Sequence, residues 1–354
     1  MTTTKMTTTS SRGLPALLPA VLLLVGCGGD DPVSTGPDAA PGTTSVVVAL
    51  PARFAEVPVP ADNPLTVEGV ALGKRLFFNP LLSVDSTVAC ASCHRLEFAF
   101  SDPERFSQGV AGRTSRQSMS LANLAWAPSL FWDGRAESLE AQVLQPVANP
   151  VEMGETWDHV EHKLSRHAEY PDLFEAAFPG EPITRTRVAQ AIAQYERTLI
   201  SGESRFDLFL RGDVQFTDQE LLGWTVYGTE RGDCFHCHGT ILLTDNRFHN
   251  NGLDALPQDP GRGDITDIDG EAGHFRTPTL RNIELTAPYM HDGRFSTLEE
   301  VLAHYNNGFH RNDRLDPLLL AVPVKRNLSV DEQAAVIAFL RALTDPGFIE
   351  EHAQ

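Results

Sequence analysis

Apolar side chains along this chain recur mostly with the period of a helix and seldom with the two-residue alternation of a strand. The run Glu68-Gly69-Val70-Ala71-Leu72-Gly73-Lys74-Arg75-Leu76-Phe77-Phe78 sets apolar positions three and four apart and predicts a helix over about 67–78. Between Thr184 and Ile200, Val188, Ile192, Tyr195 and Leu199 fall on one face. Thr217 ahead of Asp218-Gln219-Glu220 places an acid three residues after a capping hydroxyl, which opens a helix over about 217–229. Ser329 before Asp331-Glu332-Gln333 caps a closing helix through Leu340 and Leu343 in the same way. Strand signals reduce to Val46-Val47-Val48 and a few short β-branched runs. Gly- and Pro-rich connectors fill the remainder. The longest, Gly252 to Gly273, carries Asp259, Asp264, Asp267 and Asp269 and reads as a surface loop. The pattern is that of an all-α protein.

The first apolar run, Leu14 to Val25, follows Lys5 and Arg12 and contains two prolines. It is too short to cross a bilayer and has the make-up of a signal peptide. Small residues directly before Cys27 resemble a lipobox, so 1–27 reads as a lipoprotein signal peptide with Cys27 as the lipidated terminus. An ordinary secretory peptide with an incidental Cys is the alternative. The next stretch, to about Thr44, is rich in Ser, Thr, Gly, Pro and Ala and cannot bury enough apolar surface to order itself. Residues 28–50 are therefore expected to form a flexible linker. About 300 residues remain, enough for two domains, assigned here to 51–205 and 206–345, with 346–354 as a tail. Gly28 after Cys27 is not an aspartate retention signal, which favours the outer over the inner membrane and places the protein in the periplasm or at the cell surface.

Five cysteines are present, and four of them fall in two pentapeptides, Cys90-Ala91-Ser92-Cys93-His94 and Cys234-Phe235-His236-Cys237-His238. C-x-x-C-H is the signature of covalent c-type haem attachment: two thiols add to the haem vinyl groups and the His supplies an iron ligand. Two such motifs, each preceded by a predicted amphipathic helix, imply two tandem cytochrome c-like domains with one haem c apiece. A zinc reading fits less well with an exported chain. No thiol is left to pair with Cys27. The formal charge of −19 argues against a nucleic-acid partner, which requires a basic face. Contact with a membrane would then come only through the lipid on Cys27.

Longer motifs go further. Phe131-Trp132-Asp133-Gly134-Arg135, Pro146-Val147-Ala148-Asn149-Pro150-Val151-Glu152-Met153, Phe275-Arg276-Thr277-Pro278-Thr279-Leu280-Arg281-Asn282 and Thr286-Ala287-Pro288-Tyr289-Met290-His291-Asp292-Gly293 together resemble the bacterial di-haem cytochrome c peroxidase/MauG superfamily over about residues 54–345. The resemblance implies that Cys90, Cys93 and His94 hold a peroxide-reactive haem, with Glu152 above it as acid–base catalyst and Gln142 and Pro146 lining the same pocket. Moving a proton between the two peroxide oxygens is chemistry a positioned carboxyl can perform. Trp132 corresponds to the tryptophan that relays electron holes between the haems. Cys234, Cys237 and His238 hold the second haem. A Ca²⁺ between the domains is implied too, with carbonyls of Thr286 and Pro288 as ligands and Gln117 where the family usually has Asn.

Two positions bear on the branch. The distal His of peroxidases that need reductive activation corresponds to Gly109, and no His occurs from Ser107 to Ser120. The axial Met of their second haem corresponds to Tyr305, with His304 as a neighbouring alternative, and none of the five methionines falls at that place. Both features resemble MauG-type oxidases and the MbnH branch, in which oxidising equivalents from peroxide act on residues, tryptophan among them, of a partner protein. The competing expectation is a cytochrome c peroxidase that takes electrons from a small cytochrome c or copper protein; a lipid-anchored electron carrier is a third. Trp157 and Trp224 are candidate exit points for a hole. His159, His162 and His167 read as exposed helix residues and His291 as a structural one.

Overall fold

Each half of the molecule is organised by one helix crossing. In the computed structural model, which describes residues 41–321, 323 and 325–353, the Val67–Phe78 helix crosses the Arg185–Arg197 helix. Both open on a threonine whose hydroxyl accepts from the backbone three residues on, Thr66 from Gly69 and Thr184 from Arg187. At the crossing, a Cβ on Gly73 would collide with the Ala191 carbonyl and one on Gly69 with the Gln194 side chain. Only glycine lets the two backbones approach this closely. The second half repeats the device. There the Asp218–Tyr227 helix crosses the Val330–Arg341 helix, and Gly223 lies against the Ala335 carbonyl and Phe339. The capping boxes expected at Thr217/Glu220 and Ser329/Glu332 are both formed.

Two apolar cores surround these crossings. The first joins Leu72, Leu76, Phe77, Phe174, Val188, Ile192 and Tyr195; the second joins Phe206, Val226, Tyr227, Leu302, Val336, Phe339 and Leu343. Strands contribute little among the described residues. Gln108–Gly109 pairs with Gly112–Arg113, and Phe248–His249 with Phe275–Arg276, both antiparallel. The architecture is thus the expected all-α pair of cytochrome c-like domains. The halves meet through polar contacts. Asn282 Nδ2 of the second half donates to Ser201 Oγ of the first at 3.0 Å. Asp345 Oδ2 accepts from Ser201 Oγ and from the backbone of Gly202 and Glu203.

Several expectations change. Val46-Val47-Val48 forms no strand; Ser45 bridges to Thr66, and Val46 N–H donates to Leu65 O. The end of the supposed linker is therefore docked, with Thr44 bonded to Glu68. The supposed tail is the helix Pro346–His352, capped by Asp345 with Pro at its first turn. Its Phe348, 2% exposed, enters the core of the first half and meets Phe100 edge-on. In the Gly252–Gly273 segment Asp264, Asp267 and Asp269 are exposed as expected, but Asp259 makes a two-pronged contact with Arg116 of the first half. His159 and His162 are exposed, whereas His167 caps the Trp157–Arg166 helix against Tyr170. The signal peptide, Cys27 and the linker up to residue 40 lie outside the described residues. Among those described, no helix is long and apolar enough to cross a membrane.

The C-terminal helix is predicted to be part of the first core. Phe348→Ala should destabilise the haem-loaded protein by about 3 kcal/mol or more. Chemical denaturation followed by tryptophan fluorescence checks this, and an unchanged midpoint would mean that the helix is dispensable.

Candidate active site: two cavities and the tryptophan between them

The first C-x-x-C-H forms a single helical turn, Cys90–Cys93, and delivers His94 into a cavity of about 350 Å³. His94 Nδ1 lies 2.9 Å from the Phe100 carbonyl. That carbonyl is aimed by a tight bend in which Ala99 and Phe100 both have positive φ, 51° and 58°. With Nδ1–H donating to a carbonyl and burial disfavouring the charged ring, Nε2 is left as a lone-pair ligand. Burial also pushes the Cys93 thiol up to about 11 and the Cys90 thiol higher still.

Gln142, Pro146 and Glu152 line this cavity with Arg135 and Trp132. Gln142 and Pro146 lie on the Leu139–Ala148 helix. Asn149 ends that helix and shapes the turn after it. Its Oδ1 accepts from Val151 N–H at 2.9 Å, and its Nδ2 donates to Glu152 Oε1 at 2.6 Å. The turn thereby holds the Glu152 carboxyl in the cavity wall. Burial raises its pKa, and the Arg135 charge and the Asn149 bond only partly offset this. Gly109 sits beneath the same turn: Val110 N–H donates to Glu152 O, and a Cβ on Gly109 would strike the Val151 carbonyl. No side chain can project from that position without moving Glu152. Arg113 to Gln117 bring this loop to the cavity wall without a histidine.

The second C-x-x-C-H repeats the arrangement. His238 Nδ1 lies 3.0 Å from the Leu243 carbonyl, again on a residue of positive φ, and the Tyr227 hydroxyl donates to His238 O. The residues of this second cavity include Cys234, Cys237, His238, Tyr305, Asn251 and Met290. Asn251 Nδ2 lies 3.1 Å from the Tyr305 hydroxyl and 3.5 Å from Met290 Sδ. Burial pushes the Tyr305 phenol up to about 12. His304 turns elsewhere, to the Asn251 carbonyl and the Phe295 ring. Spacing alone discounted Met290, yet the fold brings it to the same asparagine as Tyr305. His249 was also missed: it is held between Asp245 and Asp316 at 2.9 and 2.6 Å, and against the effect of burial these carboxylates favour its charged form. In both halves the paired thiols, a histidine oriented through Nδ1 and the cavity they line together fit a covalently held haem.

Trp132, Gln117, Met119, Leu124 and Arg276 line both cavities. Trp132 Nε1–H donates to Gln117 O at 2.8 Å. The Phe275 and His291 rings stack on each other at 3.7 Å and meet the indole edge-on, at 6.5 and 6.4 Å. His291 is therefore structural in the sense expected: buried, and part of the box around the indole. Arg276 N–H donates to Trp132 O, and Asp133 is clamped by Arg116 and Arg135, so the tryptophan is fixed from both halves. Gln117, Thr286 and Pro288 line one cavity together, with Gln117 Nε2 bound to Ser101 Oγ at 2.8 Å. Trp157 and Trp224 are packed: Trp157 Nε1–H donates to Leu144 O, and Trp224 sits edge-on to Phe206 and Phe209.

Two thiol-bearing histidine cavities joined at one boxed tryptophan define a c-type di-haem redox protein. The sequence profile described as di-haem cytochrome c peroxidase matches residues 67–215. The methylamine utilization protein MauG of Methylorubrum extorquens is 38% identical over 343 residues, covering 93% of this chain and 96% of its own. The cytochrome c551 peroxidase of Pseudomonas aeruginosa is 33% identical, covering 80% of each. A solved MauG-like protein associated with microbial copper homeostasis superposes with a TM-score of 0.78 at 36% identity, covering 85% of this chain and 96% of its own. The chain belongs to the di-haem cytochrome c peroxidase/MauG family and is a peroxide-using oxidoreductase.

Gly109→Ala tests the link between the loop and Glu152. The substitution should displace the Val151–Glu152 backbone and lower peroxide turnover at least tenfold while both haems remain attached. Wild-type turnover in that variant would show that Glu152 tolerates the shift.

Proposed function

We propose that this protein is a peroxide-dependent di-haem oxidase that withdraws electrons, through both haem sites, from residues of a partner protein. Tyr305 carries the reading: it, rather than His304, stands in the wall of the second cavity. A phenol whose pKa is pushed to about 12 ionises only against a strong positive charge, so as a ligand it would favour oxidised iron. Bound haem would supply the redox chemistry, with Cys90, Cys93 and His94 holding one and Cys234, Cys237 and His238 the other. Glu152 moves the proton between the peroxide oxygens, and Gln142 and Pro146 shape the pocket around it. Trp132, touching both cavities, passes the electron across. A Ca²⁺ on Gln117, Thr286 and Pro288 would brace the tryptophan through Gln117. The partner residues oxidised include tryptophan as a candidate, and export with a lipid on Cys27 would put the enzyme where such partners are.

One observation favours a second reading. Met290 shares Asn251 with Tyr305, and a thioether ligand there would suit a cytochrome c peroxidase fed by a small cytochrome c or a copper protein.

Titrating the ferric protein with stoichiometric peroxide, scanned into the near infrared, separates the two. The oxidase should respond at once, without prior reduction, and Tyr305→Phe should abolish the near-infrared band while Met290→Leu keeps it. Silence until one haem is reduced would sink the oxidase reading. Glu152→Gln should slow the reaction with peroxide by about 10²–10⁴-fold without altering the ferric spectrum of either haem. An undiminished rate would remove Glu152 from the chemistry.

A further inference from the structure

The first cavity contains a second buried acid that no step above uses. Glu196, on the Arg185–Arg197 helix, lines the cavity with Glu152 and is only 4% exposed, and its Oε2 has no hydrogen-bond partner. A buried carboxylate without a partner is strongly disfavoured, so the surroundings decide its charge. Its neighbour Arg197 is taken by Glu140, with contacts of 2.8 and 3.0 Å, and Glu140 also accepts from Asn63. The remaining cations lining the cavity are engaged as well. Arg135 bonds Asp133 and Gln145, Arg116 bonds Asp133 and Asp259, Arg113 bonds Glu104, and Arg276 bonds Asn246. The other groups facing Glu196 are the Cys90 thiol and the Tyr195 hydroxyl, the latter itself without a partner. Glu152, on the same cavity wall, bonds Asn149.

We propose that Glu196 is the proton partner of the first haem, holding a proton while that haem is reduced and releasing it when the haem loses an electron. Cys90 and Cys93 would hold a haem by its vinyl groups, remote from the haem carboxylates, so a carboxyl that acts on the Cys90 thiol would gain no polar partner from the haem. Burial pushes its pKa up to about 8, Glu140 adding to the effect and Arg197 opposing it, so the acid is neutral at physiological pH in the absence of further charge. Removing one electron adds one positive charge nearby. The Glu196 O–H bond then breaks, the proton leaves for solvent, and the carboxylate offsets the new charge. Re-reduction by one electron takes one proton back. The electron leaves for, and returns from, the second haem site by way of Trp132, one proton moves with it, and the net charge of the buried first site stays constant. The inference rests on the haem held by His94 and not on which branch of the family the enzyme represents.

The test is a spectroelectrochemical titration of the haem-loaded protein between pH 6 and 9, following each haem separately. In wild type the first-haem potential should fall with rising pH, by up to about 59 mV for each tenfold drop in proton concentration. In Glu196→Gln it should be flat, and in Glu152→Gln the slope should persist. Glu196→Asp, which keeps the acid, should retain a slope with a displaced midpoint. Infrared difference spectra on oxidation should show the loss of a protonated carboxyl carbonyl band in wild type and none in Glu196→Gln. A slope that survives in Glu196→Gln, or vanishes only in Glu152→Gln, overturns the assignment. Should Glu196→Gln fail to fold, the infrared band in wild type and its shift in Glu196→Asp decide alone, and its absence refutes the proposal. Failure of the oxidase reading shows in the peroxide titration instead and leaves these outcomes independent.

Discussion

Two helix crossings with no side chain between the backbones set the geometry of this molecule. Gly73 against Ala191 and Gly223 against Ala335 bring each first helix onto its last, and the chain between them has to form a cavity rather than a solid core. Each C-x-x-C-H turn follows the first helix of its pair, so the thiols and the histidine emerge at the rim of that space. A tight bend with positive φ then returns a carbonyl to the histidine Nδ1 in both halves, at Phe100 and at Leu243. The covalent chemistry of the haem sites is thus prepared by backbone proximity. A single methyl group at either glycine would push the paired helices apart.

The halves are joined by charges that are satisfied one against another. Arg116 ties Asp133 of its own half to Asp259 of the other, and Asp345 of the second half accepts from Ser201 Oγ and the Gly202 and Glu203 backbone of the first. Breaking such buried pairs is costly because the remaining charge stays in a poor solvent. The tight pairing also fixes Trp132, because Asp133 and Arg276 hold the segment on either side of the indole. Within this network Glu152 and Glu196 stand apart. Both are acids pushed toward the neutral form by burial, one placed by a helix-ending asparagine and one left without a partner.

Helix periods, caps and the two pentapeptides were legible because they are local. The helices at 67–78 and 218–227 lie where apolar spacing and the Thr217 capping box placed them. Other features were hidden for a common reason. Pro346–His352 reads as a polar tail until Asp345 is seen as a cap and Phe348 finds a core far away in sequence. Asp259 resembles its loop neighbours until Arg116 arrives from the other half. Met290 and Tyr305 are fifteen positions apart, and only the fold sets both on Asn251. Glu196, four residues after Ile192, falls within the apolar face of its helix, so the period marks it as buried but says nothing of its partners. No spacing rule distinguishes an orphaned acid from a paired one.

The sequence by itself determined the number of haem sites, the helical class and the family, since covalent attachment motifs, capping pairs and apolar periods depend only on neighbours along the chain. The tertiary structure alone decided which groups share a cavity. It placed Trp132 against both cavities, made Gly109 the floor beneath Glu152, and turned His304 away while Tyr305 lines the wall. It also settled which acids find a cation and which do not. Those outcomes depend on distances between residues remote in sequence, and burial converts each such distance into a charge state that no local pattern encodes.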